Sequence, residues 1–231
     1  MDNKEIILKG ENIIRCFKTG DGEDFYALKG VDIEIPKGSL TILKGRSGSG
    51  KTTLLNILGA LDKATSGEVY FDGVELSGLS EGKREAMRRK DVGFVFQSVA
   101  LIPIMNAYEN VDFAMRLASC EGEYGDRIKH VLSIVGMADR MSHMPGQMSG
   151  GEQQRVAIAR AIAHGPKIIF ADEPTGALDT ETGLKVMHLF KKLVAKEGIT
   201  IVMTTHDPNL MEMGDLVYEV EDGEIIGRTE N

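Results

Sequence analysis

A glycine-rich segment carries the clearest chemical pattern in the chain. Residues 45–52 read GRSGSGKT and match the pattern G-x-x-x-x-G-K-[ST] at every fixed position, between an apolar run and residues with helical spacing. Small residues let successive backbone N–H groups surround a phosphate at a helix N-terminus. Lys51 can neutralise phosphate oxygens, and the Thr52 hydroxyl can reach Mg²⁺. The segment predicts nucleotide binding and leaves GTPases, kinases and ATPases open.

Two consecutive acids, Asp172 and Glu173, follow the apolar run from Ile168 to Ala171. The carboxyl ends of parallel strands are where such sheets bind ligands. Asp172 can coordinate a metal ion through its water shell, and Glu173 can orient or deprotonate the water that attacks a γ-phosphate. Nothing in the sequence indicates a lid for a second substrate, so hydrolysis is favoured over transfer to another molecule.

A third pattern stands at residues 149–152. Ser149 and Glu152 form the S-x-x-E pattern of a helix capping box, ahead of an apolar stripe at helical spacing. Gly150 and Gly151 lie inside the first turn, where glycine costs up to ~1 kcal/mol relative to alanine. A capping box does not require them. Bare amides at a positive helix end suit a second contact with phosphate.

The surrounding elements follow from apolar periodicity. Residues 6–42 predict strands with hairpin connections, and apolar strands at 167–171 and 200–204 flank a helix at 181–196. Strand, crossover helix and strand predict a parallel α/β sheet. Residues 98–164 predict helices inserted between its halves, including one opened by Asn106 and Glu109.

The length, charge and cysteine content of the chain limit the kinds of protein that it can be. The chain has 231 residues, enough for one domain with a subdomain. Acidic residues outnumber basic ones by 35 to 27, and the net charge of −8 argues against binding nucleic acid through bulk charge. Cys16 and Cys120 match no metal spacing, which fits a reducing compartment. Neither a leader pattern at residues 1–5 nor an apolar run near ~18 residues is present, so no secretion signal or membrane span is expected.

These motifs together resemble the ATP-binding-cassette (ABC) nucleotide-binding domain. The glycine-rich loop, Ser149 to Gln153, the two acids, Gly176 to Asp179 and Thr205 to Asp207 occur in that family's order and approximate spacing. The resemblance covers essentially the whole chain. It implies an α/β fold with a P-loop NTPase (RecA-like) core at about 1–97 and 165–231, an N-terminal antiparallel β subdomain, and a helical subdomain at 98–164.

The resemblance also implies a role for each matched residue. Glu173, His206 and Lys51 would be catalytic, and Thr52, Gln97 and Asp172 would hold Mg²⁺. Ser149, Gly150, Gly151 and Glu152 would contact ATP on the other subunit of a head-to-tail homodimer, and Asp179 would couple the two sites. Phe17 would stack on adenine, with Tyr26 as a substitute. The residues expected to bind ATP in the same subunit are Phe17, Gly45, Arg46, Ser47, Gly48, Ser49, Gly50, Lys51, Thr52, Thr53 and Gln97.

Two functional readings stay open at the level of sequence. In the first, the chain is a cytoplasmic ATPase subunit on the inner face of the membrane, attached to separate transmembrane permease subunits through the region after Gln97. Residues 102–111 resemble the branch that serves lipoprotein release, macrolide or antimicrobial-peptide export and cell division. In the second, the chain is a soluble ABC ATPase that drives a cytosolic assembly process. A GTPase would need an Asn-Lys-x-Asp motif, which the chain lacks.

Overall fold

The computed structural model describes residues 5–120 and 122–231. The expectation about a leader at residues 1–5 falls almost wholly on residues 1–4, which lie outside the described part. Strands of the described residues are β1 (Ile6–Lys18), β2 (Asp24–Pro36), β3 (Leu40–Lys44), β4 (Ser66–Phe71), β5 (Val74–Glu75), β6 (Val92–Val95), β7 (Ile168–Ala171), β8 (Thr200–Thr205), β9 (Leu216–Glu221) and β10 (Glu224–Glu230).

The helices of the described residues lie between the strands, and three of them fall within the predicted helical segment at 98–164. They are α1 (Lys51–Leu58), α2 (Glu81–Asp91), α3 (Ala107–Leu117), α4 (Gly125–Ile134), α5 (Gly150–Ile162) and α6 (Thr180–Glu197). Within the two described ranges, none of the helices combines the length and apolar character needed to cross a bilayer.

Two sheets form the framework. One has the strand order β10-β9-β3-β8-β7-β6, in which β10 and β9 are antiparallel and every other pair is parallel. The other is antiparallel, with the order β2-β1-β4-β5. This arrangement confirms the predicted α/β class with a parallel sheet and an N-terminal antiparallel sheet.

The central strands β3, β7 and β8 of the six-stranded sheet are buried on both faces, which explains why they are mostly apolar. Successive residues point to opposite sides, so Ile42 joins a cluster with helices α3 to α6, whereas Leu43 joins a cluster with α1 and the antiparallel sheet. The first cluster runs without interruption from the inserted helices to the sheet. The helical segment is therefore packed directly on the strands that carry the site, while its boundaries as a subdomain stay a prediction.

Candidate nucleotide site

Four neighbouring parallel strands bring the predicted residues to one edge of the sheet. The strands β3, β8, β7 and β6 are adjacent and run in the same direction. The glycine-rich loop follows β3, His206 follows β8, Asp172 follows β7, and Gln97 lies two residues after β6. Because the carboxyl ends of parallel strands meet at one edge, residues more than 150 positions apart in sequence share a single site.

The loop after β3 depends on glycine at particular positions. Gly50 caps α1 with φ +102°, and a Cβ there would lie 2.6 Å from the carbonyl oxygen of Ala27. A Cβ at Gly45 would collide with the carbonyl oxygen of Val220. Both the backbone conformation and the close approach of neighbouring strands therefore exclude larger residues. The loop leads directly into α1, with its free N–H groups at the positive end of the helix.

Lys51 is folded back into this loop. Its side chain is buried, with 5% of its surface exposed, and Nζ donates to the carbonyl oxygens of Gly45 at 2.8 Å and Arg46 at 2.7 Å. Burial lowers the pKa of Lys51, and the nearby carboxylates of Glu173 and Asp172 partly oppose that shift. The ammonium group is thus held at the mouth of the loop by backbone oxygens.

The hydroxyl of Thr52 faces the first of the two acids. Thr52 Oγ1 donates to Asp172 Oδ1 at 3.0 Å and to Oδ2 at 3.1 Å. A hydroxyl and a carboxylate are hard oxygen ligands of the kind that Mg²⁺ takes alongside waters and substrate phosphates. Among the described residues no cluster of three or more acidic, histidine or cysteine side chains could hold a metal. The Thr52 hydroxyl and the Asp172 carboxylate fit an ion whose other ligands are waters and nucleotide phosphates.

The second acid lies between His206 and Gln97. Glu173 has φ +42°, an uncommon conformation for a residue with a side chain, and its Oε1 lies 3.4 Å from His206 Nδ1. A Cβ placed on Gly176 would lie 3.3 Å from both Glu173 Oε2 and Gln97 Nε2. The side chains of Glu173 and Gln97 thus converge beside Gly176, which has no side chain to separate them.

Aromatic rings border the same loop on the antiparallel sheet. A cavity of about 270 Å³ is lined by Phe17, Phe25, the loop from Ser47 to Thr53, and Glu173. Phe17 on β1 pairs with Phe25 on β2. Tyr26, the substitute considered at the sequence level, does not line this cavity. Phe25 was missed because one exposed aromatic in a strand carries no signal without its partner strand.

The capping box at the start of α5 is confirmed. The Ser149 hydroxyl accepts from the Glu152 N–H at 3.3 Å, and Glu152 Oε2 accepts from the Ser149 N–H at 2.8 Å. The bond from the Ser149 backbone N–H is the largest cause that lowers the pKa of Glu152, and Arg140 also contacts its carboxylate at 3.1 Å. Glu152 is directed back at its own helix, as expected from the capping pattern.

The two glycines of this turn differ from each other. Gly150 is exposed, whereas Gly151 is buried and a Cβ on it would collide with the side chain of Thr182 on α6. Close packing of α5 on α6 therefore explains Gly151 independently of any ligand. The cavities lined by residues 44–53 include no residue of 149–152, within the described part of the chain.

Asp179 caps α6. Its carboxylate accepts from the Thr182 N–H at 3.0 Å and from the Thr182 hydroxyl at 2.6 Å, and these bonds lower its pKa. Asp179 also lines a cavity of about 320 Å³ together with Glu173 and His206. Asp179 is thus fixed at a helix start beside Glu173 and His206 of its own chain.

Two buried polar residues that shape the site were not identified from sequence. Thr204 on β8 bonds to both acids, as described in the Discussion. Asn110 on α3 is fully buried and uses its side chain to bond the backbone of Ile102, Met105 and Asn106, which fixes the segment after Gln97. The one signal in the sequence for the role of Asn110 is its position, four residues after the helix cap Asn106, where an asparagine that becomes buried needs hydrogen-bond partners.

Comparisons with known proteins agree with this geometry. The family model described as ABC transporter matches residues 28–176. The ABC transporter ATP-binding protein MJ0796 of Methanocaldococcus jannaschii is 45% identical over 224 residues, covering 95% of each chain. The macrolide export ATP-binding/permease protein MacB of Vibrio parahaemolyticus is 40% identical over 98% of this chain and 35% of its own length.

A solved structure supports the same assignment. The dimeric post-hydrolysis state of the cassette MJ0796, bound to ADP and Pi, has a TM-score of 0.88 and 41% identity, over 96% of this chain and 98% of that chain. The fold and the site together define an ATP-binding cassette. The chain belongs to the ABC transporter family.

Proposed function

We propose that this chain is the ATP-binding and ATP-hydrolysing subunit of an ABC transporter, and that it acts as a homodimer attached to separate permease subunits. The observation that carries the proposal is the convergence of the glycine-rich loop, Asp172, Glu173, Gln97 and His206 at one sheet edge. This set combines phosphate binding, metal ligation and activation of water, as hydrolysis of ATP requires.

Binding begins at the loop of residues 45–53. Its backbone N–H groups and Lys51 bind the phosphates, while the cavity beside Phe17 receives the base. Thr52, Asp172 and Gln97 would hold Mg²⁺, which when bound neutralises phosphate charge. Lys51 then exchanges its backbone acceptors for phosphate oxygens, which restores the charge compensation that burial removes.

Hydrolysis is assigned to Glu173 and His206. The carboxylate of Glu173 orients the attacking water and accepts its proton, and His206, 3.4 Å away, holds the carboxylate and contacts the γ-phosphate. The uncommon backbone conformation of Glu173 directs its side chain into this position, so the main chain contributes to catalysis through geometry.

A second copy of the chain completes the site. The start of α5 carries bare amides at Gly150 and Gly151 beside the Ser149 hydroxyl, yet it lies outside the cavities formed by the loop of its own chain. A head-to-tail dimer places these amides on the γ-phosphate of the other subunit, with Asp179 at the interface. The relative MJ0796 has been solved as a dimer, which supports this arrangement.

The attachment to a permease is proposed at the segment after Gln97. A largely apolar groove of about 300 Å³ next to it is lined by Phe94, Phe96, Phe113 and Leu117, together with the basic side chains Arg88, Arg89, Arg160 and His164. Ile104 is 81% exposed in the segment that Asn110 fixes. A rigid apolar surface of this kind suits a helix from a membrane subunit. Attachment in this way would hold the chain at the inner face of the membrane. The relative MacB carries ATP-binding and permease functions in one protein, and the branch of exporters and lipoprotein-release systems is proposed on that basis.

The replacement Glu173→Gln tests the assignment. The amide keeps the shape of the side chain but cannot accept the proton, so ATP turnover should fall by about 10²- to 10⁴-fold while ATP stays bound. Bound ATP should then hold two subunits together as a dimer on size-exclusion chromatography. Glu181→Gln on the exposed start of α6 is the matched control and should hydrolyse ATP normally. A monomeric Glu173→Gln protein with normal turnover would contradict the proposal.

A further inference from the structure

A cationic side chain lies on the aromatic ring that borders the base side of the cavity. Phe17 is 39% exposed and lines the cavity, and the guanidinium carbon of Arg15 lies 4.3 Å from the centroid of its ring. A guanidinium at this distance makes a cation–π contact. Arg15 itself does not line the cavity, so its contact is with the ring of Phe17 and not with the space beside the phosphate loop.

The guanidinium is fixed by a second, independent contact. Arg15 Nε donates to Asp62 Oδ2 at 2.9 Å and Nη2 donates to Oδ1 at 3.0 Å, which forms a two-pronged ion pair. Asp62 Oδ1 also accepts from the Lys63 N–H at 2.7 Å, and Arg84, which is buried, donates to the carbonyl oxygen of Asp62. The carboxylate is therefore held at the end of the turn that follows α1.

These contacts connect the ring to the helix that begins with Lys51. Asp62 lies just after α1, whose N-terminus forms the phosphate site, and Arg15 reaches from β1 to join the two. The antiparallel sheet is thus tied to the turn at the far end of the helix whose N-terminus forms the phosphate site. An unsupported ring on an exposed strand would have to be ordered by the ligand, at the expense of affinity.

We infer that Arg15 is a positioning residue that orders Phe17 for stacking on the nucleobase, with Asp62 as its anchor. The inference rests on the proposed function, because it assigns a nucleotide to this cavity. Arg15 acts on the base alone and not on the phosphates. Replacement of Arg15 should therefore weaken the binding of ligands that have a base and leave the binding of ligands without a base unchanged.

The test compares Mg-ADP with Mg-pyrophosphate, which lacks a base, by displacement of a fluorescent ADP derivative. Arg15→Met, which keeps the length of the side chain, should weaken ADP binding by about three- to tenfold and leave pyrophosphate binding unchanged. Arg15→Lys retains the positive charge but cannot form the two-pronged ion pair. Its ADP affinity should lie between that of the wild-type protein and that of Arg15→Met. Lys18→Ala removes a positive charge from the same strand and should affect neither ligand. Thermal unfolding of each variant identifies any that are misfolded.

The outcomes separate this inference from the function on which it rests. In a Phe17→Ala background, Arg15→Met should have no further effect, because the ring through which it acts is gone. Equal weakening of ADP and pyrophosphate, or no weakening of either, would overturn the role of Arg15. Unchanged ADP binding by Phe17→Ala alone would instead overturn the stacking role of Phe17, and a wild-type protein that binds neither ligand would overturn the proposed function.

Discussion

Thr204 Oγ1 donates a 2.7 Å hydrogen bond to Oδ1 of Asp172. The Thr204 hydroxyl oxygen also accepts from the backbone N–H of Glu173 at 2.8 Å. One buried hydroxyl on β8 therefore contacts both acids that follow β7. The position of the proposed metal ligand relative to the proposed base is therefore set by a neighbouring strand. Their own loop, with Glu173 at positive φ, does not determine it alone.

Replacing Thr204 with valine tests this arrangement. Valine has the same shape but leaves the Glu173 N–H and one Asp172 oxygen without this partner, so turnover should fall about tenfold or more while ATP affinity changes little. The unpaired groups should also lower the free energy of unfolding by about 1–3 kcal/mol. Thr204→Ser restores the hydroxyl and should recover most of the activity. Normal turnover in a folded Thr204→Val protein would show that the hydroxyl has no positioning role.

The lowered pKa of Lys51 predicts the pH dependence of ATP binding. Phosphate binds the charged ammonium, which is present below the pKa and lost above it; because burial lowers this pKa, the loss begins at a lower pH than for an exposed lysine. ATP affinity should therefore begin to fall at a pH below the ordinary lysine pKa of about 10.4 and should continue to fall as the pH rises through it. The matched variant Lys51→Arg stays charged over that range, so whatever affinity it has should vary less with pH. An equal decline in both proteins would assign the effect to another group.

The apolar groove predicts a separation of ATP binding from attachment to the permease. Leu117→Ser places a hydroxyl in a groove that we propose is covered by a membrane subunit, and it should weaken co-purification with the permease about tenfold or more. ADP affinity of the isolated chain should not change, since the groove is outside the nucleotide cavity. Val74→Ser is the matched control, because Val74 is 53% exposed and Leu117 is 56% exposed. A large loss of ADP affinity in Leu117→Ser would argue against a role confined to the permease.

The residues to which we assign the chemistry were the most predictable part of the molecule. The loop at 45–52, the acids after β7 and the capping box at Ser149 are each defined by residues close together in sequence, and local patterns therefore identify them. The strands β7 and β8 were also predicted because burial on both faces leaves an almost wholly apolar run.

The parts that depend on contacts between distant segments were not predictable in this way. Strands β9 and β10 were not identified from the sequence, although Asp222 and Gly223 between them form the Asp-Gly pair typical of a hairpin turn and both have positive φ. That turn supports the phosphate loop, because the Gly223 N–H donates to the carbonyl oxygen of Ser49 at 3.0 Å. Thr204, Phe25 and Arg15 likewise acquire their roles only when separate strands are brought together.

Mixing two inactive variants tests the shared site most directly. Lys51→Ala removes the phosphate ligand in one chain, and Gly150→Asp places a negative charge on the exposed helix start that would face the γ-phosphate of the other. Each protein alone should be inactive, since both sites of each homodimer carry a defect. Mixed dimers contain one site with neither defect, so the mixture should recover up to about a quarter of wild-type ATP turnover. A mixture as inactive as its components would contradict a site built from two chains.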